Sequence, residues 1–135
     1  MAFMNKNVLN DFIAEKMKTM VDKETSANIE KLIDSKYNYS KNGLDYEFTL
    51  FEFSSNSCSV CKKMEVELDK IKKSHADEIN VVFINTTLPE NQQLIKYMGI
   101  PAIPLQVILD KKGEEIFKHY GFISAEDLLA VCVKI

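Results

Sequence analysis

The apolar positions along this chain change period several times, and each change marks an element. Val8, Leu9, Phe12, Ile13, Met17, Met20 and Val21 recur at helical spacing. They predict an amphipathic helix over about 7–21, packed on the domain by that stripe. A second helical pattern spans about 26–37, with Ile29, Leu32, Ile33 and Tyr37 on one face and Thr25 or Ser26 as its cap. Asn38 to Asp45 is polar, contains Gly43 and reads as a loop. Tyr46–Phe53 (YEFTLFEF) is dominated by aromatic and β-favouring residues, which suits a central strand. Helical spacing returns from Cys58 to about Ser74 in Val60, Met64, Leu68 and Ile71, with charges on the other face. Asn80–Asn85 (NVVFIN) is a short buried strand, and Thr87-Leu-Pro-Glu90 resembles a capping box that opens a helix ending at Gly99. Ile103–Leu109 is a strand, Asp110-Lys-Lys-Gly113 a hairpin turn and Glu115–Tyr120 the returning strand. Ser124 caps a closing helix over 125–133.

The order is therefore two helices followed by β-α-β-α-β-β-α. Alternation implies parallel strands joined by helical crossovers, and the last hairpin adds antiparallel strands. The expected fold class is α/β, with a mixed four- to five-stranded central sheet flanked by helices and extra N-terminal helices. At 135 residues the chain is one domain's length and needs no covalent staple to fold. Residues 1–40 are expected to form a helical extension packed on a domain spanning 41–135.

Net charge is −3 with no basic stripe, so neither nucleic acid nor an anionic membrane is indicated as a partner. The N-terminal residues hold no continuous apolar stretch of signal-peptide or transmembrane length, so the chain as given reads as cytoplasmic; a leader already removed would leave the same pattern. Three cysteines are too few for a disulfide scaffold. Two of them lie in SNSCSVCKKM, at Cys58 and Cys61, directly after the aromatic strand and at the start of a helix.

That pair has three readings: zinc ligands, a structural pair, or a redox dithiol. A structural zinc site takes about four ligands. Beyond the pair the chain offers Cys132, His75 and His119, none at zinc-ligand spacing, although two chains sharing their pairs could hold one ion. The strand–loop–helix context favours redox chemistry. Unpaired N–H groups and the positive dipole end at a helix N-terminus stabilise a thiolate. A second cysteine one turn on is within disulfide reach. Neither a metal nor an organic cofactor is expected.

Taken together, FEFSSNSCSVCKKME, YMGIPAIPLQVILDKKGEE and HYGFIS resemble the thioredoxin family over roughly residues 45–133. The resemblance implies that Cys58 attacks a protein or small-molecule disulfide and Cys61 resolves the mixed disulfide. It makes Pro104, where the strand begins, the cis-proline facing the pair in preference to Pro101, with Ile103 and Gly121 lining the substrate groove. Glu52, six residues before Cys58, matches the buried acid of thioredoxins, which would take a proton from Cys61. A reductase or another dithiol would be the electron donor. The chain departs from the family pattern in several places. It has no Trp, Ser59-Val60 separate the cysteines, Leu105 replaces the usual Thr, and no lysine accompanies the acid in 80–85. An alternative is a non-catalytic partner-binding module using the surface around Pro104 and Gly121. Cys132 reads as a small core residue and His119 as a surface strand position.

Overall fold

A computed structural model describes residues 6–133. In chain order the elements are α1 (Lys6–Lys18), α2 (Lys23–Tyr37), α3 (Tyr39–Asn42), β1 (Phe48–Ser54), α4 (Ser59–Ser74), β2 (Ile79–Asn85), a 3-10 turn (Pro89–Asn91), α5 (Gln92–Met98), β3 (Leu105–Leu109), β4 (Glu115–Tyr120) and α6 (Ala125–Val133). The four strands form one sheet in the order β2-β1-β3-β4. β1 runs parallel to β2 through the α4 crossover, and β3 is antiparallel to both β1 and β4. This is the mixed, helix-flanked sheet that the alternating pattern predicts.

Strand alternation divides the interior in two. On one side Phe51, Phe53, Leu105, Val107 and Leu109 pack with Ile95 and Met98 of α5 and with Tyr37 and Tyr39. On the other, Leu50 and Ile108 pack with Met64, Leu68 and Ile71 of α4 and Leu128 of α6. β1 and β3 supply both sides and are buried along almost their whole length.

The 38–45 segment expected to be a loop holds the short helix α3, and β2, expected to be buried, is an edge strand that stays partly exposed. Three further local expectations change. Most of the predicted apolar stripe of α1 does not face inward, although Met17 packs against the core. Leu9, Phe12 and Ile13 are exposed, and Asn10 and Ala14 are buried instead. The reason is a close approach between backbones: a Cβ on Gly99 would stand 2.8 Å from the Ala14 carbonyl oxygen, so only the small side of α1 fits there. Second, α2 begins earlier than its apolar pattern suggests, because the Thr25 N–H donates to Asp22 Oδ1 at 2.7 Å and makes Asp22 the cap. Third, Thr87-Leu-Pro-Glu90 forms no capping box. The Thr87 hydroxyl donates to Asn85 Oδ1, and the chain enters α5 through the 3-10 turn. Gly99 does end α5, in the left-handed conformation at φ 70° that favours glycine. Ser124 caps α6 by accepting the Asp127 N–H.

Candidate active site at the head of the sheet

The C-terminal end of β1 feeds a short loop from Ser55 to Cys58, and α4 starts at once. Cys58 is the N-cap of that helix. Its Sγ accepts the Cys61 backbone N–H at 3.2 Å, so the sulfur sits among the helix's unpaired donors. Cys58 and Cys61 are disulfide-bonded, with Cα atoms 5.2 Å apart. Cys58 is half-buried and Cys61 fully buried, which leaves Cys58 as the sulfur open to a visiting group.

The register brings the other sequence-predicted residues to the same end. Phe53 pairs with Leu105, so Pro104 falls beside the loop that leads to Cys58. Leu105 pairs with Tyr120, which sets Gly121 next to Pro104, and the Gly121 N–H donates to the Pro104 carbonyl at 2.8 Å. The Ile103–Pro104 peptide bond is cis. Ile103, Pro104 and Gly121 line one small cavity of about 90 Å³. Lys6, Asn7 and Asn10 close its other wall, so α1 borders the expected substrate groove. The Tyr120 hydroxyl donates to Asp11 at 2.7 Å and ties α1 to β4. A larger open groove of about 790 Å³ lies at the opposite end of the sheet, beside the β3–β4 turn, and includes Glu30, Tyr97 and Lys112.

Glu52 is completely buried, on the side of the sheet covered by α4. Among the described residues its carboxylate has one side-chain partner: Gln106 Nε2 donates to Oε1 at 3.1 Å and to Oε2 at 3.3 Å. Burial raises its pKa to about 8, while the Gln106 hydrogen bond pulls the other way. The residue beside it on β2 is Phe83, so no lysine offsets the desolvation. His119 departs from the surface position expected for it: its ring is half-buried, and Nδ1 lies 2.9 Å from Gln106 Oε1. One faint sign of this contact lies in the chain itself, since Gln106 is the single polar residue inside the apolar run Leu105–Leu109. Cys132 is half-buried in α6, and burial pushes its thiol up to about 11, which suppresses the reactive thiolate. Among the described residues, no group of three or more His, Cys, Asp or Glu side chains is placed to hold a metal ion. Among them too, no helix is long and apolar enough to cross a membrane.

A buried acid beneath a helix that starts on a Cys-x-x-Cys disulfide, across from a cis-proline, defines a class of thiol–disulfide proteins. The thioredoxin-like domain family model matches residues 37–135, and the chain belongs to that family. It is also similar to the chloroplastic thioredoxin-like protein HCF164 of Oryza sativa subsp. japonica and of Arabidopsis thaliana, each 30% identical over 67 residues. That match covers 50% of this chain and 26% of the relative, so the chain spans about a quarter of those proteins' length. Among solved structures, a malaria-parasite thioredoxin-2, described as a component of the protein secretion machinery, superposes with a TM-score of 0.60 at 21% identity. It covers 66% of this chain and 84% of its own. The exposed lipoprotein thioredoxin Etrx1 of Streptococcus pneumoniae gives a TM-score of 0.59 at 18% identity, covering 70% and 89%. These two likenesses bear on the fold. The family and the cysteine pair together support thiol–disulfide oxidoreductase chemistry.

Proposed function

We propose that the chain reduces or exchanges disulfides, with Cys58 attacking and Cys61 resolving. The observation that carries this is the unequal setting of the two sulfurs: Cys58 at the helix N-terminus and half open, Cys61 buried. In the reduced protein the Cys58 thiolate attacks one sulfur of the substrate, and the substrate's other sulfur leaves as a thiolate. Cys61 then gives its proton to the Glu52 carboxylate and attacks Cys58 Sγ. The second substrate thiolate departs, the Cys58–Cys61 disulfide forms, and two electrons have passed to the substrate. Glu52 is suited to the proton step because a carboxyl with a pKa near 8 can hold and release a proton around neutral pH.

Pro104 and Gly121 are proposed to border the groove, with the Ile103 backbone available to an extended substrate chain. The substrate is a protein or small-molecule disulfide, and a reductase or dithiol partner regenerates the pair. The cytoplasm is the proposed compartment, on cysteine scarcity. A non-catalytic binding module is the second reading. The exposed Leu9, Phe12 and Ile13 of α1 favour it, since such a patch suits a partner.

Mixed-disulfide trapping separates the two. Cys61→Ser should accumulate a mixed disulfide through Cys58, and the wild type should reduce insulin. Trapping by Cys58→Ser instead would reverse the roles. Absence of turnover together with a Cys58 pKa near the free value of about 8.5 would leave only the binding module.

A further inference from the structure

We infer that Gln106 and His119 are positioning residues for Glu52: the ring N–H of His119 holds the Gln106 amide in the orientation that supports the Glu52 carboxylate. This rests on the proton-acceptor role proposed above for Glu52.

The three side chains form a continuous line across β1, β3 and β4. Glu52 is in register with Gln106, and Gln106 with His119. Glu52 and Gln106 are fully buried and His119 is half-buried. With the Gln106 Nε2 group donating to both carboxylate oxygens, its Oε1 must face the other way. A carbonyl oxygen only accepts, so the His119 Nδ1 at 2.9 Å has to carry the proton. The chain of donors then runs in one direction, from imidazole to amide to carboxylate, and each bond polarises the next.

A protonated Glu52 asks for the reverse. Its O–H needs an acceptor, which Gln106 supplies by turning its amide over. Nε2 then donates to a His119 Nδ1 that has given up its hydrogen to the Nε2 tautomer. Each arrangement fits one protonation state of Glu52, but the first gives both Glu52 oxygens a donor while the second leaves one oxygen without it, so the His119 N–H favours the carboxylate. Gln106 carries no proton itself; it couples the state of the acid to the tautomer of the histidine. When Glu52 takes the Cys61 proton, the line can reverse, and loss of that proton to solvent restores it.

The surroundings leave this coupling undiluted. Leu50, Met64, Leu68, Ile108 and Leu128 pack on this side of the sheet. The lysines of α4 and the carboxylates Glu65, Asp69, Glu126 and Asp127 of α4 and α6 are exposed, so few titratable groups face inward. α4 contributes Cys61 and Glu67, whose carboxylate is met by the Ala125 N–H at 3.0 Å and by Lys70 at 3.0 Å. α6 contributes Cys132, with Glu78 acting on that thiol. β2 sets Phe83 beside Glu52, and Phe117 of β4 stacks parallel to the His119 ring at 6.4 Å.

The test is an NMR titration of the reduced protein, following the Glu52 carboxyl carbon, assigned by its absence in Glu52→Gln. His119→Phe should move the Glu52 midpoint up by roughly half to one unit, or about three- to tenfold in proton affinity. His119→Asn, which offers an amide N–H in nearly the same place, should return it. Gln106→Leu should raise the midpoint at least as far, with no further rise when His119→Phe is added. A midpoint unmoved in a folded His119→Phe protein, or unrestored by His119→Asn, overturns the inference. The wild type gives an independent reading: the His119 ring nitrogens should change tautomer in the same pH window as Glu52. A tautomer that stays constant through that window also overturns it. Both readings need no turnover, so failure of the insulin assay would count against the proposed function and leave this coupling standing on its own result.

Discussion

The two sides of the sheet are built from the same two strands and serve opposite ends. On the α5 side, Phe51 and Phe53 of β1 meet Leu105, Val107 and Leu109 of β3, and Tyr37 packs its ring edge-on against Phe51 at 5.1 Å. The buried polar groups there pair with one another: the Tyr39 hydroxyl lies 2.5 Å from Thr49 Oγ1 and receives Asn80 Nδ2 at 3.1 Å. On the α4 side, the intervening positions place Glu52, Gln106 and His119 in line beneath the cysteine pair. Both sides gain free energy from apolar burial, and the α5 side does little else. The other holds a desolvated acid, which lowers stability when ionised and makes it responsive to protons. Alternation along one strand is enough to separate these tasks by a single residue.

The comparison can be broken from either side. The largest effect on stability should come from Phe51→Ala, which removes a ring at the centre of the α5-side core. A loss of about 3–5 kcal/mol is expected in urea unfolding, with the dependence of stability on pH unchanged. Glu52 should show the complementary behaviour. Its folded pKa of about 8 lies above the ordinary 4.5, so the native state keeps a proton that the unfolded chain has released. Its contribution is fully present below about pH 4.5 and declines as pH rises to about 8, by about 1.4 kcal/mol per pH unit. Unfolding measured from pH 5 to 9 should show that decline, and Glu52→Gln should flatten it. A wild-type profile already flat would mean that Glu52 is ionised in the fold, and the contrast between the two sides would vanish.

Smaller effects are expected where α1 docks. Gly99→Ala puts a methyl group 2.8 Å from the Ala14 carbonyl oxygen at a backbone φ of 70°. It should cost about 1–2 kcal/mol and increase amide exchange in α1. Smallest should be Phe12→Ser: the ring is 57% exposed, and the change in stability should stay within about 0.5 kcal/mol. A clear loss of partner capture by that variant, with any proposed disulfide-exchange turnover unchanged from the wild type, would show that the outward face of α1 binds.

Much of this was legible before any coordinates. Helical and strand periods are local, so the element order, the mixed sheet and the helix that starts at Cys58 follow from spacing alone. Cys58 and Cys61 stood out because their motif is short and contiguous, and Pro104 through the family resemblance. What spacing misplaced was most of α1, whose amphipathic stripe marks a helix correctly but puts Leu9, Phe12 and Ile13 on the wrong side, while Met17 packs inward. A stripe records which side is apolar. The 2.8 Å approach between Gly99 and the Ala14 carbonyl decides which side fits.

The sequence by itself determined the redox pair, the strand carrying Glu52 and the class of fold, because each is encoded by neighbours within a few turns. Tertiary structure alone decided that Glu52 is dry, that its partner is Gln106, and that His119 completes the line. Those residues are separated by 54 and 13 positions along the chain. They meet only through the antiparallel register of β1, β3 and β4. No local pattern fixes that register. It is set by which alternate faces the whole sheet buries against α4, α5 and α6.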